Sequence, residues 1–237
     1  VFSVGNFFNR TDSDSRYVNV DGDTMTGNLT LGTTSSSQPI LQFLSSTSGA
    51  NTIHFGDGSS SDAYRGYVNY NHSTDALELA TSGTVGLKID ANGHITKPLQ
   101  SAFCVTKSSD QTNIAVASEV TVTFDTERFD QNADFASNTF TAPVTGKYQL
   151  SATVGLITID DASAYYYVNI LTSNTTYRTI FDPDFGQDNA YFPIIVSAVA
   201  DMDANDTAII QVAQAGGTQQ TGVQAGTYTR FSGCLLA

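Results

Sequence analysis

The densest run of side chains able to do chemistry is Asp182-Pro183-Asp184-Phe185-Gly186-Gln187-Asp188-Asn189. Carboxylates at its first, third and seventh positions could ligate Ca²⁺ through oxygen, which makes Asp182, Asp184 and Asp188 the candidate metal ligands. The spacing departs from an EF-hand loop, which needs Gly at its sixth position and Glu at its twelfth, so a solvated acidic loop is the competing reading. Asp160-Asp161 forms a second acidic tip. Asp160, Asp161, Asp182, Asp184, Gln187, Asp188 and Tyr191 are therefore the candidate contact residues for a ligand. They fall in stretches that read as exposed loops, near 156–164 and 182–191; a third such stretch, near 214–227, is rich in Gly, Gln and Thr.

Signatures of catalysis are missing. The sequence has no Gly-x-Ser-x-Gly, no His-Glu-x-x-His and no phosphate-binding loop. His54, His72 and His94 are isolated, and Cys104 and Cys234 lie in no metal-type spacing. Carboxylate pairs leave a glycan depolymerase as the last enzymatic reading, but such enzymes usually need a long groove on a much larger β-helix. The expectation is a binding protein and not an enzyme. Tyr165-Tyr166-Tyr167 adds a different chemistry. Alternation along a strand puts Tyr165 and Tyr167 on one face and Tyr166 on the other. One set would pack in the core or at an interface, and the other could offer a stacking platform for a sugar.

These residues need a scaffold, and the scaffold reads as all-β. The chain has 237 residues, 40% hydrophobic, enough for one or two domains with real cores. Charged residues make up only 14%, with small polar residues filling the outward positions of alternating strands. Net charge is −13, with five basic and nine acidic residues in 1–100 and five against fourteen after that. Such a surface repels nucleic acid and anionic lipid. No run of 18 apolar residues exists, so no membrane insertion is expected. With no basic-then-apolar leader and a start at Val1, the expectation is a piece of a longer protein. Strands are predicted at Phe103–Val105, Val120–Phe124, Thr139–Thr141, Tyr148–Val154, Ala164–Leu171, Tyr177–Phe181, Phe192–Val199, Thr207–Val212 and Phe231–Leu236.

Two stretches carry a resemblance. One holds Phe124-Asp125, Arg128-Phe129-Asp130, Phe135, Phe140-Thr141-Ala142-Pro143-Val144 and Gly146-Lys147-Tyr148; the other reads Tyr228-Thr229-Arg230-Phe231-Ser232-Gly233-Cys234-Leu235-Leu236. Together they resemble the globular head of complement C1q and the tumour-necrosis-factor superfamily, over about the last 135 residues. The resemblance implies a ten-strand jelly-roll β-sandwich that assembles as a homotrimer and recognises a ligand without an active site. It implies a core of Phe124, Phe129, Phe135, Phe140, Tyr148, Phe231 and Leu235, with Gly146 and Gly233 permitting a turn and close packing. Asn205 replaces the family's Gly in the turn before a long strand and still permits a positive φ. First and last strands are neighbours in this fold, so Cys104 and Cys234 come near each other, as two small buried hydrophobes or as a disulfide. Some members bind Ca²⁺ near the head.

Three regions follow: 1–38, 39–98 and the head, 99–237. The string Gly22-Asp23-Thr24-Met25-Thr26-Gly27-Asn28-Leu29 resembles a short repeat of bacteriophage tail fibres, and the order of motifs in 39–98 resembles their shaft-to-tip segments. Short strands there have too few core residues to bury a face alone, so an intertwined trimeric β shaft is expected. No collagen-like segment precedes the head. The expectation is a trimeric tail-fibre tip, on the virion and outside the cell, that binds a host cell-surface glycan or outer-membrane protein. Other tail proteins would join through the preceding part of the chain. The alternatives are a secreted C1q-like lectin or signalling ligand, which predicts a Cys104–Cys234 bridge, and a structural fibre or adaptor protein.

Overall fold

The computed structural model describes residues 40–237. The predicted segment 1–38 and its Met-Thr-Gly motif lie outside the described residues. The chain divides into two units, Val1–Ser45 and Ser46–Ala237. Residues 40–45 contain no strand or helix, and everything below concerns the second unit.

Five strands come first: β1 (Ala50–Phe55), β2 (Gly66–Asn71), β3 (Ala76–Thr81), β4 (Thr84–Ile89) and β5 (Ile95–Thr96). A single 3₁₀ turn, Ser60–Tyr64, lies between β1 and β2. They pair in sequence order as an antiparallel meander. The register sorts the side chains by chemistry. Ile53, Val68, Leu79 and Leu87 stand opposite one another across four strands, joined on the same face by Phe55, Leu77, Ile89 and Ile95. The other face carries a polar ladder: Thr52 Oγ1 donates to Asn69 Oδ1 (2.8 Å), Asn69 Nδ2 donates to Glu78 Oε2 (3.2 Å), and Lys88 Nζ meets Glu78 Oε1 at 3.0 Å. Among the described residues no second layer covers the apolar face; Phe55 is 60% exposed and Ile95 62%. Only Ala76 and Ala80 are buried among the hydrophobic residues of this sheet.

The remaining strands build a closed sandwich: β6 (Ala102–Lys107), β7 (Val120–Thr121), β8 (Thr126–Asp130), β9 (Phe135–Ala136), β10 (Thr139–Thr141), β11 (Gly146–Ile159), β12 (Tyr165–Thr172), β13 (Thr176–Phe181), β14 (Asn189–Met202), β15 (Thr207–Ala215), β16 (Gly222–Val223) and β17 (Gly226–Leu235). One sheet runs β14-β11-β17-β6-β8, with β16 on β11; the other runs β13-β12-β15-β10-β9, with β7 on β15. The chain changes sheets at five of the seven connections after β10, and the first sandwich strand lies beside the last. That strand order is a ten-strand jelly-roll with two short additions. The chain is all-β, and among the described residues no helix is long and apolar enough to cross a membrane.

Alternation explains the core. Tyr148, Leu150, Ala152, Val154 and Leu156 of β11 face inward, opposite Val168, Ile170, Ile210 and Val212 of the other sheet. Aromatic rings fill one end: Phe103 stacks on Phe140 at 4.7 Å and meets Phe231 edge-on at 4.9 Å. Gly233 is required there, because a Cβ would stand 2.6 Å from Leu150 Cδ2 and 2.8 Å from Phe103 Cε1. Asn205 takes φ 74° in the turn before β15, as its place in the sequence requires.

Several expectations need correction. Phe129 is 53% exposed and not a core residue. It sits opposite Cys104 in the β6–β8 pair, and directly opposed residues share a face, here the outer one. Leu235 is only partly buried, packed against the edge of the core. Of Val120–Phe124 only Val120–Thr121 forms a strand, although Val122 and Phe124 still reach the core. The two cysteines are free and half-buried on the outer face of their sheet. Cys104 pairs with Ser232 and Cys234 with Ala102, so the thiols are diagonal neighbours. Diagonal positions stand about 7–8 Å apart, beyond the reach of a disulfide without backbone movement.

Candidate functional site

Strand β11 delivers the first acidic tip. After Ile159 the chain turns through Asp160-Asp161 before β12 begins. Asp160 is 5% exposed. Its Oδ1 accepts the Ala162 amide at 2.9 Å and its Oδ2 accepts the Thr218 amide. Around it the Tyr166 hydroxyl accepts the Asp160 amide at 3.0 Å and lies 2.7 Å from Thr221 Oγ1. Gln214 Nε2 donates to Ser163 Oγ (2.9 Å) and to the Thr218 carbonyl (2.8 Å). Asp160 thus fastens the 214–222 loop to the end of β11, with both oxygens occupied and little exposure. The Asp-Asp pair reads as a tip, but only its second member is on the surface.

Asp161 and Asp188 then join the third loop. Asp188 Oδ1 accepts the Asp161 amide at 2.9 Å, and Asp188 Oδ2 accepts Gln220 Nε2 at 2.9 Å. Asp161 Oδ1 accepts the Phe185 amide at 2.7 Å. The Gln220 bond and then the Asp161 amide favour the charged form and hold the Asp188 carboxyl below the ordinary aspartate range. The three predicted loops therefore meet at one end of the sandwich, with Asp184 and Gln187 exposed beside the joint. Phe181, Phe185 and Phe192 form its apolar underside, Phe181 stacking on Phe192 at 4.0 Å.

The three predicted metal ligands are not drawn together. Among the described residues no three His, Cys, Asp or Glu side chains are grouped so as to hold an ion. Asp188 spends both oxygens on the neighbouring loops, and Asp182 Oδ1 accepts the Asp184 amide at 3.3 Å within its own turn. Asp182, Asp184 and Asp188 share a loop without forming a ligand set.

Tyr191 belongs elsewhere. It is 68% exposed on the outer face of β14, where Ile195 and Val199 follow it at strand spacing. With Thr153, Gly155 and Pro193 on the same sheet, and Tyr228 and Arg230 on β17, it lines an open hollow of about 730 Å³. Strand β14 is thus apolar on both faces, because Ile194, Val196 and Ala200 fill the core side.

A third group joins the tyrosine face read from the sequence to two residues, Glu119 and Arg178, that the sequence did not mark. On the outer face of the second sheet, Tyr165 and Tyr167 stack at 6.2 Å and 25°, while Tyr166 points into the core. The Arg178 guanidinium from β13 lies 3.8 Å from the Tyr167 ring centre. Glu119 Oε1 accepts from the Tyr167 hydroxyl (3.1 Å), Asn169 Nδ2 (3.2 Å) and Arg178 Nη2 (3.1 Å). Desolvation first, then the Glu119 acceptor, raise the Tyr167 pKa, so its hydroxyl stays a donor. Glu119 and Arg178 are 59 residues apart, and no local pattern joins them.

No family model matches this chain, and no curated protein matches it. Solved structures do. The globular domain of zebrafish complement 1qA protein matches with a TM-score of 0.43 at 18% identity, over 58% of this chain and 98% of that one. Murine APRIL at pH 8.5 matches with a TM-score of 0.42 at 12% identity, over 58% of this chain and 99% of that one.

Proposed function

We propose that this chain is the trimeric receptor-binding tip of a bacteriophage tail fibre, which attaches the particle to a glycan or protein on the host surface without chemical turnover. The observation that carries the recognition role is the three-loop apex. Asp161 and Asp188 lock loops from three connections into one polar surface, which leaves Asp184 and Gln187 presented on a fixed support. A pre-set surface loses less freedom when it binds.

Two apolar faces support self-assembly. The outer face of β14 carries Tyr191, Ile195 and Val199, and the small sheet carries Ile53, Phe55, Leu79 and Ile95, all exposed in the single chain. Strands apolar on both sides belong between two layers, and a symmetric assembly supplies the second layer. Three copies also multiply a weak apex affinity through avidity. The resemblance of residues 22–29 to a tail-fibre repeat is the support for reading the assembly as part of a phage. A secreted C1q-like lectin or signalling ligand fits the same fold equally, and a Cys104–Cys234 bridge found in the purified protein would favour it.

Light scattering on the purified chain, followed by binding to candidate host cells and a block of infection, tests the reading. The expected mass is that of three chains, and binding is saturable and weakened by Asp184→Ala with Gln187→Ala, whose side chains hold nothing else in place. A monomer would sink the architecture. A trimer that binds no cell would leave a structural or adaptor role.

A further inference from the structure

The strand register creates a trough along β15. Ala213 and Ala215 stand directly opposite Tyr167 and Tyr165, so two methyl groups form a floor beside a wall of two stacked phenols. The other wall is the segment Ala117-Ser118-Glu119, pinned to β15 by the Ala117 amide on the Gln214 carbonyl at 2.8 Å. The trough has a volume of about 570 Å³ and is open to solvent. Tyr165, at its rim, is 43% exposed.

The polar chemistry is sparse and fixed. Three donors hold Glu119 by Oε1, while Oε2 has no partner among the described residues. Asn169, fully buried, braces the array by accepting Arg178 Nε at 2.8 Å. Half-exposed ion pairs of this kind add little to stability. The effect of the network is instead to orient one carboxylate oxygen and one aromatic wall. The Tyr165 hydroxyl is likewise without a hydrogen-bond partner among the described residues. Glu119 and Arg178 cancel each other's charge, at 3.1 Å.

We infer that this trough binds a neutral pyranose ring of a glycan. A pyranose has a C–H face and a rim of hydroxyl groups. Its C–H face fits against the Tyr165–Tyr167 wall, and a hydroxyl donates to Glu119 Oε2, matching a site that is mostly apolar with a few fixed polar atoms. The local neutrality, within a chain of net charge −13, selects against sialylated or phosphorylated sugars. The inference stands apart from the proposed apex and shares no residue with Asp161, Asp184, Gln187 and Asp188.

The test is an array of neutral and acidic glycans probed with the whole chain, followed by titration of the best neutral hit and hydrogen–deuterium exchange on the unsubstituted protein. The expected result is a neutral glycan bound, with slowed exchange in 116–119 and 213–216. Tyr165→Ala and Glu119→Gln each weaken it about tenfold or more, and Tyr165→Phe, which keeps the ring, recovers most of the binding. Loss on these substitutions with none on Asp184→Ala or Gln187→Ala places the sugar in the trough even if the apex binds nothing. The inference is overturned if no neutral glycan binds, if only acidic ones do, if a peptide is captured there instead, or if binding and protection follow the apex residues. Exchange on the unsubstituted protein decides the matter even if a variant fails to fold.

Discussion

The small sheet of β1–β5 and the sandwich of β6–β17 are written in the same alternating code, yet among the described residues only the sandwich has its apolar face covered. In the sandwich, inward positions of two sheets meet, and Phe103, Phe140, Tyr148 and Phe231 are fully enclosed. In the small sheet the apolar positions are just as regular, but they face outward, while the polar ladder of Thr52, Asn69, Glu78 and Lys88 pairs off on the other side. Alternation specifies a face; it does not say whether the same molecule will cover it. A sheet with one apolar face and no second layer buries too little to offset the entropy of ordering its strands.

The largest effect expected from that contrast is in the sandwich. Phe231→Ala empties a site surrounded by Phe103, Phe124 and Phe135. It should cost the head about 3–5 kcal/mol. Denaturant unfolding should report that loss equally at low and high protein concentration. Next in size is Leu79→Asp, on the apolar face of the small sheet. It should raise the dissociation constant of the assembly at least about tenfold and leave the head's own unfolding midpoint in place. Dilution followed by light scattering measures this, and a head that loses as much as the assembly would erase the distinction between the two regions.

The smallest effect sharpens the contrast through pH. His94, by its ring and then its backbone amide, holds Asp90 below the ordinary range, and a hydrogen bond from Lys88 does the same for Glu78. A carboxylate with a depressed native pKa contributes stability above its unfolded value, near 4, and loses it as pH falls through the native value. The small sheet should therefore loosen in acid. Asp90→Asn keeps the acceptor for the Asn92 and His94 amides but removes the charge. Amide protection in residues 66–96 should then depend less on pH, by a fraction of the effect of Leu79→Asp; an unchanged pH profile would remove Asp90 from the account.

Much of the sandwich was legible because its signals are local. Inward residues alternate from Tyr148 to Leu156 in β11, and again in β12 and β15, and Gly233 and Asn205 mark a close approach and a positive φ. β8 was missed because Thr126-Glu127-Arg128-Phe129-Asp130 is too polar to read as a strand; its pairing with β6 makes it one. The candidate site was legible as loops and not as atoms. Asp160 and Asp161 look equivalent in sequence, and the bond to the distant Thr218 amide belongs to the buried one alone. The spacing of Asp182, Asp184 and Asp188 suggested an ion, and it gave no hint that Gln220 and the Asp161 amide bond the last carboxylate. Glu119 and Arg178 carry no mark at all, because their meeting depends on which strands become neighbours.

The length of β11 has a mechanical consequence. Its fourteen residues run from Gly146 to Ile159, and at ~3.3 Å each they span about 45 Å. Its first end lies beside the junction with the small sheet, where Gln131 Nε2 donates to the carbonyls of Lys97, Pro98 and Gln100. Its far end enters the Asp161–Asp188 joint. A pull between apex and junction runs along β11 and its long partner β14, so their ladder is loaded in shear, with many rungs resisting together instead of opening one by one.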